Sequence, residues 1–319
     1  MSEKKSIQMR GELWALIAFF AFTASNLFDK LGLSSGANPF AALIVKDSLI
    51  FLTSVFMSLK LGLYKKCFSK SSPDYCGFKG AWPFILSGPI MDGIGTAFFY
   101  VAISTGSLVV AVPCIQSQTL WAAIIASIML KERLTKQTLL GIVVYIVGLI
   151  LVNCGGYIGG GEINATGNSL LCAAIALVAG LAWALSTVLW KKGMVNGCDK
   201  WVGLSIHYPT TWICVFIYLA LSNNLAAYKM SGNAILALMG SGVASGLIGV
   251  TAFMMALKTT SVNKANVIKS AYPILLSVLA WLIFGEYMNI WMFIGIALTV
   301  VGVVIVNRSD VGSKAKAAA

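Results

Sequence analysis

The sequence predicts an all-α integral membrane protein, with ten transmembrane helices forming two inverted five-helix repeats (5+5). Three observations lead there. Of 319 residues, 58% are hydrophobic and 11% charged, and mean hydropathy is +0.86; a soluble domain carries about 25% charged residues. The apolar residues fall into runs that match the ~20-residue helix needed to cross a ~30 Å hydrocarbon core. The chain also overlays on itself when shifted by 154 positions. This composition excludes most soluble-enzyme readings. The formal charge of +12 sits between the apolar runs, so it reports membrane orientation rather than nucleic-acid binding.

The spans run 12–34, 39–59, 81–104, 107–130, 137–153, 168–190, 201–222, 232–257, 261–284 and 288–306. The first is too long for a signal-peptide core and lacks a small-residue cleavage site, so it reads as a retained helix. The longest connection, Lys60 to Gly80, leaves no room for a soluble domain. The organisation is then an N-terminal tail (1–11), a first repeat (12–153), an outer linker (154–167), a second repeat (168–306) and a C-terminal tail (307–319). With the N-terminus inside, the inner segments 1–11, 60–80, 131–136, 191–200, 258–264 and 307–319 hold 19 of the 23 lysines and arginines. That asymmetry puts both termini in the cytoplasm.

Shifting by 154 lays 95–153 on 249–307 without a gap, and 14 of those 59 positions are identical. They include Gly95/Gly249, Phe99/Phe253, Glu132/Glu286, Gly141/Gly295, Gly148/Gly302 and Asn153/Asn307. A shift of 161 relates the first two spans of each half, through Leu16/Leu177, Ser25/Ser186, Lys30/Lys191 and Gly32/Gly193. Shared apolar composition inflates such matches, but paired glycines and glutamates at constant spacing are harder to produce that way. Five spans per copy is odd, so the second copy enters the membrane inverted, as in secondary transporters that bind substrate near the midplane.

A glutamate after the fourth span of each half, followed by glycines nine and sixteen residues on, stands here as Glu132, Gly141, Gly148 and as Glu286, Gly295, Gly302. With ten spans in two halves, this resembles the drug/metabolite transporter superfamily, EamA-type branch, over nearly the whole chain. The resemblance implies a carrier for small polar metabolites, with a cavity lined by spans 1–4 and 6–9, and spans 5 and 10 to one side. The repeat motif identifies the fold, not the cargo. The first span departs from the branch: Ala21-Phe22-Thr23-Ala24-Ser25 lacks the Trp-Gly pair often found there.

Ionisable groups inside spans cost about 2.5–3.5 kcal/mol each on insertion scales and usually face a cavity or a partner. They are Asp29, Lys46, Asp47, Asp92, His207 and Lys269. Lys269 lies roughly 12 Å into the ninth span at 1.5 Å per residue, on one face with Asn266 and Pro273. It is either a contact for a substrate anion or a structural partner of an aspartate such as Asp92. Asp92 sits in Gly88-Pro89-Ile90-Met91-Asp92-Gly93-Ile94-Gly95, which overlays on the glycine-rich Gly240-Ser241-Gly242 to Gly246 stretch of the other half. Interruptions in equivalent places point to a transporter site; close packing is the alternative for the glycines. A carboxylate is not needed for packing, so Asp92 is a candidate for binding an amine or carrying a coupling proton. Lys46 and His207 are repeat mates, Lys46 toward the outer face and His207 toward the inner one, as gate residues or as satisfied structural groups. Asp47 points about 100° from Lys46 on a helix. Gln116, Gln118, Tyr272 and Asn26 offer uncharged hydrogen bonds, either to substrate or between helices.

Glu132 and Glu286 sit at helix ends, where capping or a salt bridge suits them better than transport chemistry. Gly141, Gly148, Gly295 and Gly302 suit tight packing of spans 5 and 10, within the fold or in a homodimer. Gly155 to Gly161 reads as an outer loop rather than a dinucleotide turn, because no strand precedes it. Asn164-Ala165-Thr166 is a glycosylation acceptor on the outer side, meaningful only in a eukaryotic secretory pathway. Seven cysteines without C-x-x-C and one histidine argue against a disulfide framework or a metal site, and no catalytic set, P-loop or cofactor motif is recognisable. The expected function is secondary active transport of a small polar organic metabolite by alternating access, coupled if at all to a proton or a counter-substrate. An amino-acid-like, zwitterionic or anionic solute leads; amines or quaternary ammonium compounds and sugar-phosphate or nucleotide-sugar solutes are the alternatives. A membrane-embedded lipid enzyme is the remote one, since it calls for acids or histidines clustered at one face. The expected partners are the lipid bilayer and a small molecule, with no nucleic acid. The expected setting is a bacterial cytoplasmic membrane, or an endomembrane in a eukaryote.

Overall fold

The computed structural model describes residues 2–105, 114–115, 117–132, 135–158, 169–269, 271–272, 275, 279 and 290–316. Among them there is no strand. In chain order the helices are α1 (Ser2–Ser34), α2 (Pro39–Lys60), α3 (Leu63–Phe68), α4 (Gly77–Gly88), α5 (Ala97–Thr105), α6 (Gln118–Met129), α7 (Lys136–Ile158), α8 (Ser169–Val195), α9 (Lys200–Leu221), α10 (Gly232–Ser241), α11 (Thr251–Thr259), α12 (Val262–Lys269) and α13 (Ile290–Lys316). Among the described residues, five stretches are long and apolar enough to cross a membrane: Gly11–Asp29, Phe40–Lys60, Ala174–Val195, Lys200–Leu221 and Gly232–Thr259. Shorter apolar helices add Gln118–Met129, Lys136–Leu151 and Ile290–Val306.

Local chemistry sets the helix starts. Asn38 accepts from the Phe40 and Ala41 amides ahead of α2, with Pro39 in the first turn, where its missing N–H costs nothing. Asp199 accepts from the Trp201 amide at 2.8 Å ahead of α9, and Asn38 and Asp199 are mates under the 161 shift. The preceding turns match as well. Gly36 and Gly197 hold φ of +88° and +94°, a conformation that favours glycine. The Ala37 and Cys198 amides reach back to the Gly32 and Gly193 carbonyls at 3.3 and 3.1 Å. The repeat is thus carried in backbone geometry where side-chain identity has faded.

Two segments wind as π-helix, Pro89–Thr96 between α4 and α5 and Gly242–Val250 between α10 and α11. The 154 shift carries 89–96 onto 243–250, so these are the two interruptions read from the sequence. Proline supplies no amide donor at the first, and glycines weaken the α-helical preference in both.

The chain divides into two compact units that do not follow the sequence halves. One holds Met1–Ala97 with Leu185–Thr259, the other Phe98–Ala184 with Thr260–Ala319. In the first, α1 packs on α10, α11 and the second π segment, and α9 packs on α2 and α4. In the second, α7 and α13 form the main helix pair. A side chain at Gly148 would meet the Thr299 backbone and one at Gly302 the Tyr145 backbone, and Tyr145 and Thr299 are mates under the 154 shift. A Cβ at Gly141 would meet Val306, so α7 and α13 approach as closely as small residues allow. Helix α7 runs to Ile158, past the predicted span end, so Gly155 and Gly156 are helical.

Candidate substrate and ion site

Within the first unit, α1 and α2 bring Asp29 and Lys46 together at 2.6 Å. Ser241 donates to the other Asp29 oxygen at 2.6 Å. Ser25 and Ser241 are 2.8 Å apart, and because the Ser241 proton is already committed to Asp29, Ser25 is the donor. Every polar atom of the pair thereby has a partner, which a buried charge requires. Asn26, one position from Ser25, spends its amide on the Phe22 carbonyl at 2.6 Å.

A second cluster surrounds His207, which is 1% exposed. Its Nδ1 lies 2.7 Å from Ser87 Oγ. The Trp190 indole donates to Ser87 Oγ at 3.0 Å and to His207 Nδ1 at 3.3 Å. On the other edge of the ring, Nε2 stands 3.7 Å from Asp92 Oδ2. Asp92 accepts from Thr96 at 3.0 Å and from Thr211 at 3.3 Å. Ser186 donates to the Ser87 carbonyl at 3.2 Å. Asp47 is in electrostatic range of Asp92, Lys46 and Asp29, members of both clusters.

At one end of this unit, a cavity of about 340 Å³ carries charges of both signs, Lys66, Lys200 and Lys258 with Asp74 and Asp199. Cys76 and Cys198 pack close by. Burial pushes the Cys76 thiol up to about 11, with Cys67 adding to the rise.

In the second unit, the Val262 amide donates to the Glu132 carboxylate at 3.1 and 3.3 Å. Glu132 therefore caps α12, and the carboxylate suits the helix N-terminus. Along α12, Asn263, Lys264 and Asn266 are buried. Asn266 Nδ2 and Asn263 Oδ1 have no hydrogen-bond partner among the described residues. Lys269 ends the helix half-buried, Tyr272 follows half-buried, and Gln118 is buried at the start of α6. Gln116 and Glu286 lie outside the described residues. No group of histidine, cysteine or acidic side chains among the described residues suits a metal ion.

The sequence reading named Lys46, His207, Asp92 and Asp29 but not the serines, Trp190 or the two threonines that complete their clusters. The signal was in the repeat: the same shifts that pair Gly88 with Gly242 also pair Ser87 with Ser241.

The EamA-like transporter family model matches residues 9–154 and 170–308, one match for each half. The chain belongs to the EamA-like transporter family. It is a multi-pass membrane transporter and not an enzyme. A protein of Clostridium kluyveri named "uncharacterized transporter" is 23% identical over 308 residues, covering 94% of each chain. A crystal structure with 16% identity superposes with a TM-score of 0.69 over 92% of this chain and 95% of the other. That likeness shows the shared fold of this EamA-like transporter.

Proposed function

We propose that this EamA-like transporter is a secondary active carrier that moves a small polar metabolite, amino-acid-like and zwitterionic or anionic, by alternating access. In this reading ten helices form two inverted five-helix repeats and both termini face the cytoplasm of a bacterial cell. The observation that carries the cargo class is Asn266. Its buried amide Nδ2 has no partner among the described residues, and Lys269 lies three residues on, within the same helical turn. A buried donor left unmade costs about 1–3 kcal/mol. A carboxylate that accepts from Asn266 removes that cost, and the ammonium of Lys269 complements its charge. Gln118 and Tyr272 belong to the same unit and add uncharged contacts. The 340 Å³ cavity lies within the range of small-molecule sites and is lined from the segments read as cytoplasmic.

A second reading, an amine or quaternary ammonium cargo, is favoured by Asp47 and Asp92, two carboxylates in mutual electrostatic range. A homodimer through α7 and α13 would use their outward faces, such as Leu140, Val143, Val300 and Val304, because their glycine faces meet each other.

Thermal unfolding of the detergent-purified protein against amino acids, amines, phosphosugars and nucleotide sugars tests the cargo. A ligand at 100 times its Kd adds about 2.7 kcal/mol to the folded state. Stabilisation confined to amino acids and carboxylates supports the proposal. Stabilisation confined to amines overturns it in favour of the second reading, and a hit only among nucleotide sugars removes both.

A further inference from the structure

The two polar clusters of the first unit are the same device built twice, with one chemical difference. The 161 shift lays Ser25 on Ser186, Asp29 on Trp190 and Lys46 on His207, and the 154 shift lays Ser87 on Ser241. Each cluster holds a serine from the first span of one half, a basic residue from its second span, and a serine from the third span of the other half. The backbones agree. A Cβ at Gly242 would overlap the Lys46 carbonyl, and one at Gly88 would lie 2.5 Å from the His207 carbonyl.

The difference lies in the charges. In the first cluster an ammonium meets a carboxylate at 2.6 Å, and an ammonium keeps its proton throughout the physiological range. In the second, Trp190 occupies the place of the acid. The acid comes instead from Asp92, whose repeat mate is Gly246, and the base is an imidazole, the side chain that exchanges protons near neutrality.

The hydrogen bonds around His207 accept either charge state without moving a heavy atom. With the ring neutral, Nδ1 accepts from Ser87 and Trp190 at 2.7 and 3.3 Å and Nε2–H faces Asp92. With the ring protonated, Nδ1–H donates to Ser87 Oγ, and the Ser87 hydroxyl turns to the Phe84 carbonyl, 2.9 Å away. A hydroxyl both gives and takes a hydrogen bond, so Ser87 acts as a two-position rotor. Among the described residues, the other titratable groups in electrostatic range of the pair are Asp47 from α2 and Tyr208 from α9, and Asp47 is also in range of Lys46 and Asp29.

We propose that His207 and Asp92 form the proton-binding site of the transport cycle, and that the Lys46–Asp29 ion pair is its repeat-related counterpart. The coupling role rests on the carrier reading above; the proton site does not. The proton binds at the imidazole, returns to water when the pair separates, and leaves no covalent bond altered.

The chain contains one histidine, so ring-labelled histidine gives a single imidazole signal from the full-length protein in lipid nanodiscs. From pH 5 to 9 that signal should titrate reversibly. Asp92→Asn, which withdraws the facing carboxylate, should shift the midpoint. A ring that keeps one charge state over this range, or an unmoved midpoint in Asp92→Asn, overturns the site. In proteoliposomes with an entrapped pH dye, an external mixture of the twenty amino acids should drive a pH change that His207→Lys and Asp92→Asn abolish. Uptake without proton movement overturns the coupling. A titrating ring with no amino-acid uptake supports the proton site while overturning the cargo class.

Discussion

The carbonyl oxygen of Lys46 sits directly on Gly242, with no room between them for a methyl group. This approach lets the third span of one half lie on the second span of the other, close enough for Ser241 to reach Asp29. Gly242→Ala should therefore destabilise the protein by about 1–3 kcal/mol through overpacking and lower its Tm in detergent. Gly232→Ala, where a Cβ meets nothing within 4 Å, should stay within about 0.5 kcal/mol of the parent. Equal Tm values for the two variants would show that the interhelical contact is loose.

Removing one member of the Asp29–Lys46 pair leaves the other charge without its partner. Lys46→Ala or Asp29→Ala alone should cost about 1–3 kcal/mol. The apolar double variant Lys46→Met/Asp29→Leu should cost less than either, because no uncompensated charge remains. A double-mutant cycle on thermal unfolding reads the coupling. Strictly additive costs would mean that the two charges do not support each other.

Asn266 separates a binding role from a structural one. Replacing an unsatisfied buried amide with a similar apolar shape is neutral or stabilising, so Asn266→Leu should keep or raise the Tm. The same variant should lose at least tenfold in affinity for the stabilising metabolite, and Lys269→Ala should abolish its uptake with the fold intact. Wild-type transport in Lys269→Ala would exclude the carboxylate contact.

The Cys76 thiol gives a pH-dependent readout on the loop that leads into α4. Alkylation needs the thiolate. With the thiol pushed up to about 11, roughly a thousandth is ionised at pH 8, against about a quarter for an ordinary thiol near 8.5. Iodoacetamide labelling of the Cys76 peptide, followed by mass spectrometry, should be slow at pH 8 and rise about tenfold per pH unit toward 11. Rapid labelling at pH 7 would show that the Cys67–Cys76–Cys198 packing opens readily.

The apolar runs, the paired glycines and the Glu132/Glu286 spacing were readable without coordinates, because a bilayer imposes span length and a repeat imposes constant offsets. Gly141, Gly148, Gly295 and Gly302 pointed to close helix approach, within the fold or between subunits, and the structure shows it between α7 and α13. The place of Glu132 at a helix end left capping and a salt bridge open, and the Val262 amide makes it a cap. The Gly88–Gly95 and Gly240–Gly246 interruptions became π-helix where glycine and proline weaken the α-helical bond pattern.

Partner choice was not readable in that way. Lys46 has Asp47 beside it in sequence yet pairs with Asp29, seventeen positions earlier, because helix geometry turns neighbours apart and α1–α2 packing sets the facing residues. Asp92 meets His207, and Ser241 meets Asp29, only because the third span of each half lies against the other half. The sequence by itself determined a membrane chain of repeated apolar spans, since hydropathy and offset are linear properties of the chain. Only the tertiary structure decided that the compact units interleave the two halves, and that one repeat-related cluster is a fixed ion pair while the other holds an imidazole against a carboxylate. Those outcomes depend on helix packing, over seventeen positions for Asp29 with Lys46 and over 100 or more for His207 with Asp92 and Ser241 with Asp29, which no local pattern encodes.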